Sequence, residues 1–136
     1  MSQLPPLLAE RPPTVRLALT YVTPVIGGFL VGATLGLAVW AWAVANVVAT
    51  LAGLGAGFEH DDLGDAARRG ATGGALFGLS IVLADALVVG DRVAKLADPA
   101  ILQAVVTTIA GTLLALAGCA LRARLVRRRA AVEPAG

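Results

Sequence analysis

The chain carries no charged residue from Leu17 to Phe58, a run of forty-two positions. An apolar run longer than about eighteen residues is typical of a membrane-spanning helix. Two further apolar segments follow, residues 70–90, in which Asp85 is the only charge, and residues 100–121, which carry none. With 57% hydrophobic and only 15% charged residues, the chain is too apolar for a soluble domain. The pattern indicates an integral membrane protein.

The first uncharged stretch is too long for a single crossing. At about 1.5 Å per residue it would form a helix of roughly 63 Å, about twice the thickness of the hydrocarbon core. Two crossings would use this length, and Tyr21 and Trp40, nineteen residues apart, match the two interfacial belts where aromatic side chains concentrate. The tryptophans Trp40 and Trp42 would then mark the turn between the two crossings.

The basic residues favour four crossings. Four spans place nine Lys and Arg residues on one side and two, Arg92 and Lys95, on the other, whereas three spans give seven against four. Because basic residues concentrate on the cytoplasmic side, we expect a multi-pass protein of the plasma or inner membrane with both termini cytoplasmic. The alternative is three spans with a long first helix kinked near Pro24, since residues 37–51 contain neither glycine nor proline to make a turn.

The expected fold is therefore all-α, a compact four-helix transmembrane bundle. The predicted spans are residues 15–38, 42–58, 69–90 and 99–121. A proline-rich cytoplasmic tail, residues 1–13, precedes the transmembrane domain of residues 14–121, and a basic cytoplasmic tail, residues 122–136, follows it. The residue types before the helices predict N-caps at Thr14, at Asp61 or Asp62, and at Asp98 with Pro99 as the first helical residue.

Glycine recurs at every fourth position in two of the spans. The two strips are Gly28, Gly32, Gly36 and Gly70, Gly74, Gly78. Glycine costs a helix about 1 kcal/mol relative to alanine, but in lipid helices associate through close backbone approach. The strips predict helix packing, either within the bundle or between copies of a homo-oligomer, unless they only reflect the frequency of glycine in transmembrane helices. Gly28 and Gly32 are echoed forty-six residues later by Gly74 and Gly78, which is consistent with a parallel two-helix repeat.

Asp85 is the only ionisable residue inside a predicted span. A carboxylate in the membrane is costly and usually faces the bundle interior, which makes it a candidate functional residue. With four spans, Asn46 and Gln103 lie at a similar depth, and the three side chains would form a polar site for a cation or proton. The alternative is that these groups only form hydrogen bonds between helices.

Two further clusters of charge lie outside the spans. The acidic segment contains Glu59, His60, Asp61, Asp62 and Asp65. Its spacing matches no metal-binding loop, and helix capping with an Asp65–Arg69 pair at i,i+4 explains it without a metal. The basic segment contains Arg122, Arg124, Arg127, Arg128 and Arg129. Such a cluster beside a span is expected to contact anionic lipid headgroups, and no aromatic platform accompanies it that would indicate nucleic-acid binding.

The sequence offers packing motifs and few chemical groups. It has one histidine, His60, one cysteine, Cys119, and no evident acid–base pair, so we expect no catalytic site, no metal and no cofactor. The use of arginine over lysine and the abundance of alanine and glycine are typical of a GC-rich bacterial genome. The leading hypothesis is a structural or accessory subunit that self-associates or joins a larger membrane complex. The alternative is a small ion or proton channel or transporter built around Asp85.

Overall fold

The computed structural model describes residues 4–132, and these contain four long helices. The helices are α1 (Pro13–Gly36), α2 (Val39–Phe58), α3 (Leu63–Val88) and α4 (Ile101–Val132). Each is long and apolar enough to cross a membrane, and the described residues contain no strand. The prediction of an all-α, four-span protein is confirmed, and the three-span alternative with one long first helix is not what the chain forms. The outermost parts of both predicted tails, residues 1–3 and 133–136, lie outside the described residues.

The helices pack side by side in the order α1, α3, α4, α2. Gly28 lies against Phe77, and Gly32 against Ile81, so α1 and α3 run parallel. The contacts of α4 with α3 run in the opposite direction along the two helices, and its contacts with α2 run in the same direction. The connections therefore alternate between two ends. We call the end that carries Arg16, Arg69 and Arg122 the basic end, and the end that carries Trp40 and Arg92 the tryptophan end.

The two helical hairpins differ in their packing. Helices α3 and α4 pack along their length, whereas α1 and α2 make few contacts with each other. The glycines that echo each other in the sequence meet different neighbours, because Gly28 and Gly32 face α3 while Gly74 and Gly78 face α4. A parallel repeat would place equivalent glycines against equivalent helices. The similarity of the two segments therefore does not extend to a repeat in the tertiary structure.

The turn between α1 and α2 consists of Leu37 and Ala38 and so precedes the tryptophans, which lie in the first turn of α2. The last residues of α1 tighten into a 3₁₀ turn in which the Leu37 amide donates to the carbonyl of Thr34 over 3.0 Å. Ala38 is extended, with φ −159° and ψ 150°, and its carbonyl accepts the first bond of α2, from the Trp42 amide. No described residue in this turn has a positive φ, so the reversal needs neither glycine nor proline.

Pro24 disturbs the hydrogen bonding of α1 one turn before it. Proline lacks an amide hydrogen, so the carbonyl of Thr20 loses its usual donor four residues later. The Thr23 amide donates to the carbonyl of Ala18, five residues back, and Ala18–Val22 form a π-helical turn. This shift also takes the usual donor from the carbonyl of Leu19. Two backbone carbonyls of α1 are thus left for a partner outside the helix.

The helix starts test the predicted caps. Asp62 caps α3, since its Oδ1 accepts the Asp65 amide at 2.9 Å, which confirms the prediction of an aspartate cap here. With this cap α3 begins at Leu63, six residues before the predicted start of the span. The other two predictions are wrong. α1 begins at Pro13 with Pro12 in the cap position instead of Thr14, and α4 begins at Ile101, beyond a turn that contains Asp98 and Pro99.

Candidate functional site

The predicted glycine strips lie in contacts within the chain. A Cβ added to Gly28 would lie 2.9 Å from the Cα of Phe77, and one added to Gly32 would lie 2.7 Å from the Cβ of Ala84. On α3, all three predicted glycines, Gly70, Gly74 and Gly78, lie against the backbone of α4. Gly36 differs, because it is exposed and its nearest neighbour, Val89, would be 3.5 Å from such a Cβ. Five of the six glycines thus allow close backbone approach between helices of one chain.

Helices α2 and α4 use glycine in the same way. Gly57 of α2 lies against the backbone of Ala115, and Gly118 of α4 lies against the backbone of Leu54 and Phe58. Sequence reasoning did not single out Gly118, because no other glycine lies four residues before or after it. Gly111 contacts α3 and Gly118 contacts α2, so each of these glycines brings a different helix close to the backbone of α4.

Asp85 is buried at the tryptophan end and is bound by an arginine. The Arg92 guanidinium donates from Nε to Oδ1 at 2.6 Å and from Nη2 to Oδ2 at 2.5 Å. The carboxylate is 7% exposed and the Arg92 side chain 54% exposed, so the pair joins a buried acid to the surface. The pairing is possible because α3 ends at Val88 and the following loop, fixed by a bond from the Val93 amide to the carbonyl of Leu35, turns back over the helix end.

Asn46 and Gln103 do not join this pair. The Asn46 Nδ2 donates to the carbonyl of Trp42 at 2.8 Å, within its own helix. Among residues 4–132, no hydrogen bond connects the side chain of Asn46 or Gln103 to Asp85. A cavity of about 600 Å³ lies beside Asp85 and Arg92 under the loop of residues 93–100, and neither amide lines it. The three predicted residues lie at the same end of the bundle but form no common site.

At the basic end, Arg69 of α3 contacts the distorted turn of α1 that precedes Pro24. Its guanidinium donates to the carbonyls of Leu19 and Thr20, the two that the π-helical turn leaves without helical donors. The predicted Asp65–Arg69 pair is therefore wrong, and Asp65 lies 3.7 Å from Arg68 instead. Sequence reasoning treated Pro24 only as a kink. The sequence does contain a signal for this contact, because a proline leaves the carbonyl four residues before the proline without its helical donor.

The segment before α1 is held against the basic end. Leu8 is buried and its amide donates to the carbonyl of Glu59 at 2.9 Å, and Arg11 pairs with the Glu59 carboxylate at 2.5 Å. Arg122 donates to the carbonyls of Pro5 and Phe58 at 2.9 and 3.1 Å. Arg122 therefore has a structural role besides the predicted lipid contact. The other arginines of the basic segment, Arg124, Arg127, Arg128 and Arg129, are exposed on the extension of α4.

Side chains of the acidic segment stabilise the fold. Glu59 binds Arg11, Asp62 caps α3, and the part of the chain that the structure describes contains no group of three His, Cys, Asp or Glu side chains that could hold a metal ion. His60 is partly buried, and no residue from 4 to 132 forms a hydrogen bond with its Nε2. Burial lowers the pKa of His60, and the positive charge of Arg69 lowers it further.

We expect His60 to make the fold sensitive to acid. The pKa of His60 is lowered in the folded protein, so the unfolded chain binds a proton first as the pH falls below about 6.5. The folded protein therefore loses stability as the pH falls further, until the folded pKa is also passed and the loss is complete. His60→Gln should reduce the loss of stability between neutral and mildly acidic pH. The check is the denaturation midpoint of both proteins in detergent at pH 7.5 and pH 5. Equal shifts in the two proteins would contradict the role of His60.

No family model, curated protein or solved structure matches the chain. Its geometry is that of a small multi-span membrane protein.

Proposed function

We propose that the protein is a structural or accessory subunit of a membrane assembly, that it self-associates and that it has no catalytic site. Three charged side chains support this proposal, because each of them makes a contact that stabilises the fold. Asp85 binds Arg92, Arg69 binds carbonyls of α1, and Asp62 caps α3. The uneven distribution of basic residues favours a plasma or inner membrane location with both termini cytoplasmic.

The observation that supports self-association is the free space beside Gly55 on α2. Apart from its two neighbours in the chain and the adjoining backbone of α2, no described atom lies within 4 Å of the position that a Cβ at Gly55 would take. A helical glycine costs about 1 kcal/mol relative to alanine, and in the membrane it is useful where another helix packs on it. Helix α2 is an edge helix whose only buried residue is Gly57. Ala52 is exposed three residues before Gly55, so two small residues are neighbours on the exposed side of this edge helix, where a second copy could pack.

Site-directed crosslinking of the full chain tests this interface. In a Cys119→Ala background, Ala52→Cys should form disulfide-linked dimers in native membranes under oxidation. Ile109→Cys, on an exposed part of α4, should stay monomeric and serves as the control. Adding Gly55→Leu should abolish the Ala52→Cys crosslink, whereas Ala110→Leu, which adds similar bulk at an exposed position of α4, should not. A strictly monomeric protein that copurifies with no other protein would overturn the proposal.

The second candidate function is a small ion or proton channel or transporter. It is favoured by the burial of the Asp85 carboxylate next to a cavity of about 600 Å³ at the tryptophan end. In this case proteoliposomes with Asp85→Asn should lose the ion or proton flux that the unchanged protein supports. The same flux with both proteins would exclude a role for Asp85 in transport.

A further inference from the structure

A second cavity lies at the basic end, between α1 and α3, and is also lined by Leu8 and Ala9 of the segment before α1 and by His60. It has a volume of about 410 Å³, and its lining includes Arg16, Arg68, Arg69 and one carboxylate, that of Asp65. Thr20, Tyr21 and Thr72, whose side chains carry hydroxyl groups, also line it. We call this cavity the basic cleft. Three guanidinium groups against one carboxylate give it a net positive charge, and the hydroxyls add uncharged hydrogen-bond donors.

The arginines of the basic cleft keep much of their binding capacity. Arg16 makes no ion pair with any residue from 4 to 132. Arg68 and Asp65 are 3.7 Å apart with side chains 83% and 61% exposed, and such a surface pair contributes at most about 1 kcal/mol. Arg69 is held by the carbonyls of α1, which places its charge at a fixed position in the wall. A negatively charged ligand would thus meet two adaptable guanidinium groups and one fixed one.

The position of the cleft along α1 indicates the kind of ligand. Tyr21 is 50% exposed, and tyrosine concentrates at the level of lipid headgroups. The exposed apolar side chains Leu17 and Val22 flank it on α1. A ligand with a phosphate and an acyl chain could therefore place the phosphate among the arginines while the chain lies along α1. Arginine is well suited to phosphate because its planar group can donate two parallel hydrogen bonds.

We propose that the basic cleft binds a phosphate group, presented by the headgroup of an anionic phospholipid. This site is separate from the exposed arginines of the α4 extension. It also does not depend on self-association through α2, so the two proposals can fail independently. A free phosphate compound would offer the same chemistry, and the experiment separates the two sources.

The test compares two double variants of the full chain that remove equal charge. Arg16→Gln with Arg68→Gln changes the cleft, and Arg124→Gln with Arg128→Gln changes exposed arginines on α4 and is the control. Native mass spectrometry of protein released from nanodiscs that contain phosphatidylglycerol measures the lipid retained. At about 1 kcal/mol for each of the two basic residues removed near the surface, the cleft variant should retain on the order of thirtyfold less lipid than the unchanged protein. The control variant should lose much less lipid, because Arg124 and Arg128 are expected to contact headgroups only from an exposed surface, where salt screens their charge.

A second arm measures inorganic phosphate binding by calorimetry in nanodiscs of uncharged lipid. Weak or absent binding of phosphate, together with selective loss of lipid in the cleft variant, supports the lipid as the source. Phosphate binding that only the cleft variant loses, without a difference in lipid retention, overturns the lipid assignment and indicates a soluble phosphate compound. Equal lipid loss in both variants overturns the site itself, because it indicates attraction by charge alone. Unchanged denaturation midpoints of both variants verify that folding is intact.

Discussion

Replacing Gly74 by alanine is expected to lower the free energy of unfolding by about 2–3 kcal/mol, as overpacking in a rigid interior does. The added Cβ would overlap the carbonyl oxygen of Thr107 and lie 2.8 Å from the Cα of Thr108. Both obstacles are backbone atoms of α4, so no rotation of a side chain can make room. Helices α3 and α4 would have to separate, and in lipid that loses the packing on which their association depends. Thermal and SDS-induced unfolding in detergent, followed by circular dichroism, measures the loss.

Gly27→Ala is the matched control for this substitution. Gly27 is also a helical glycine inside a span, but an added Cβ would lie 3.8 Å from the ring of Phe77, an ordinary contact distance. This substitution should leave stability unchanged or raise it by up to about 1 kcal/mol, because alanine is the better helix former. If the two variants unfold at the same midpoint, close packing of the α3 strip is not what stabilises the fold.

The second large effect is expected at the tryptophan end, in the Asp85–Arg92 pair. Replacing Arg92 should cost more stability than replacing Asp85. Arg92→Gln leaves a 7% exposed carboxylate without its cation, which we expect to cost about 3 kcal/mol. Asp85→Asn leaves an arginine that is 54% exposed and can be hydrated, and an amide that still accepts one of its hydrogen bonds. Its cost should be near 1 kcal/mol, similar to one lost hydrogen bond.

The double variant Asp85→Asn with Arg92→Gln completes the cycle. It carries no buried charge, so it should recover most of the stability that Arg92→Gln loses. Unfolding midpoints of the four proteins in one detergent give the coupling energy. Additive losses, with the double variant less stable than either single variant, would show that the pair does not stabilise the loop over the end of α3.

Several features of the fold were predictable because they depend on local sequence. The four apolar helices follow from the length and hydropathy of each segment, and the turn residues Leu37 and Ala38 lie within three positions of Trp40, where the turn was predicted. The Asp62 cap depends on a side chain and an amide three residues apart, a spacing that is visible in the sequence. The start of α4 was less predictable, because the preferred positions of aspartate and proline before a helix are also those of a tight turn.

The candidate site was less predictable because it depends on contacts between distant residues. The partner of Asp85 is Arg92, which was counted only as a marker of topology, and the loop that brings the two together turns back over the end of α3. The partner of Arg69 is a pair of carbonyls fifty and forty-nine residues away, on a different helix. Depth in the membrane correctly placed Asn46 and Gln103 at the same end as Asp85, but equal depth does not bring side chains into contact.

The sequence by itself determined that this chain has apolar segments long enough to cross a membrane and that glycine strips run along its helices, since transfer into lipid and helical spacing are properties of single segments. Only the tertiary structure decided which helix each strip meets. That choice depends on the order and rotation of the helices, which place Gly28 against α3 and Gly74 against α4 although their local sequences are alike. The same arrangement leaves Gly55 facing outward and opens the basic cleft between α1 and α3.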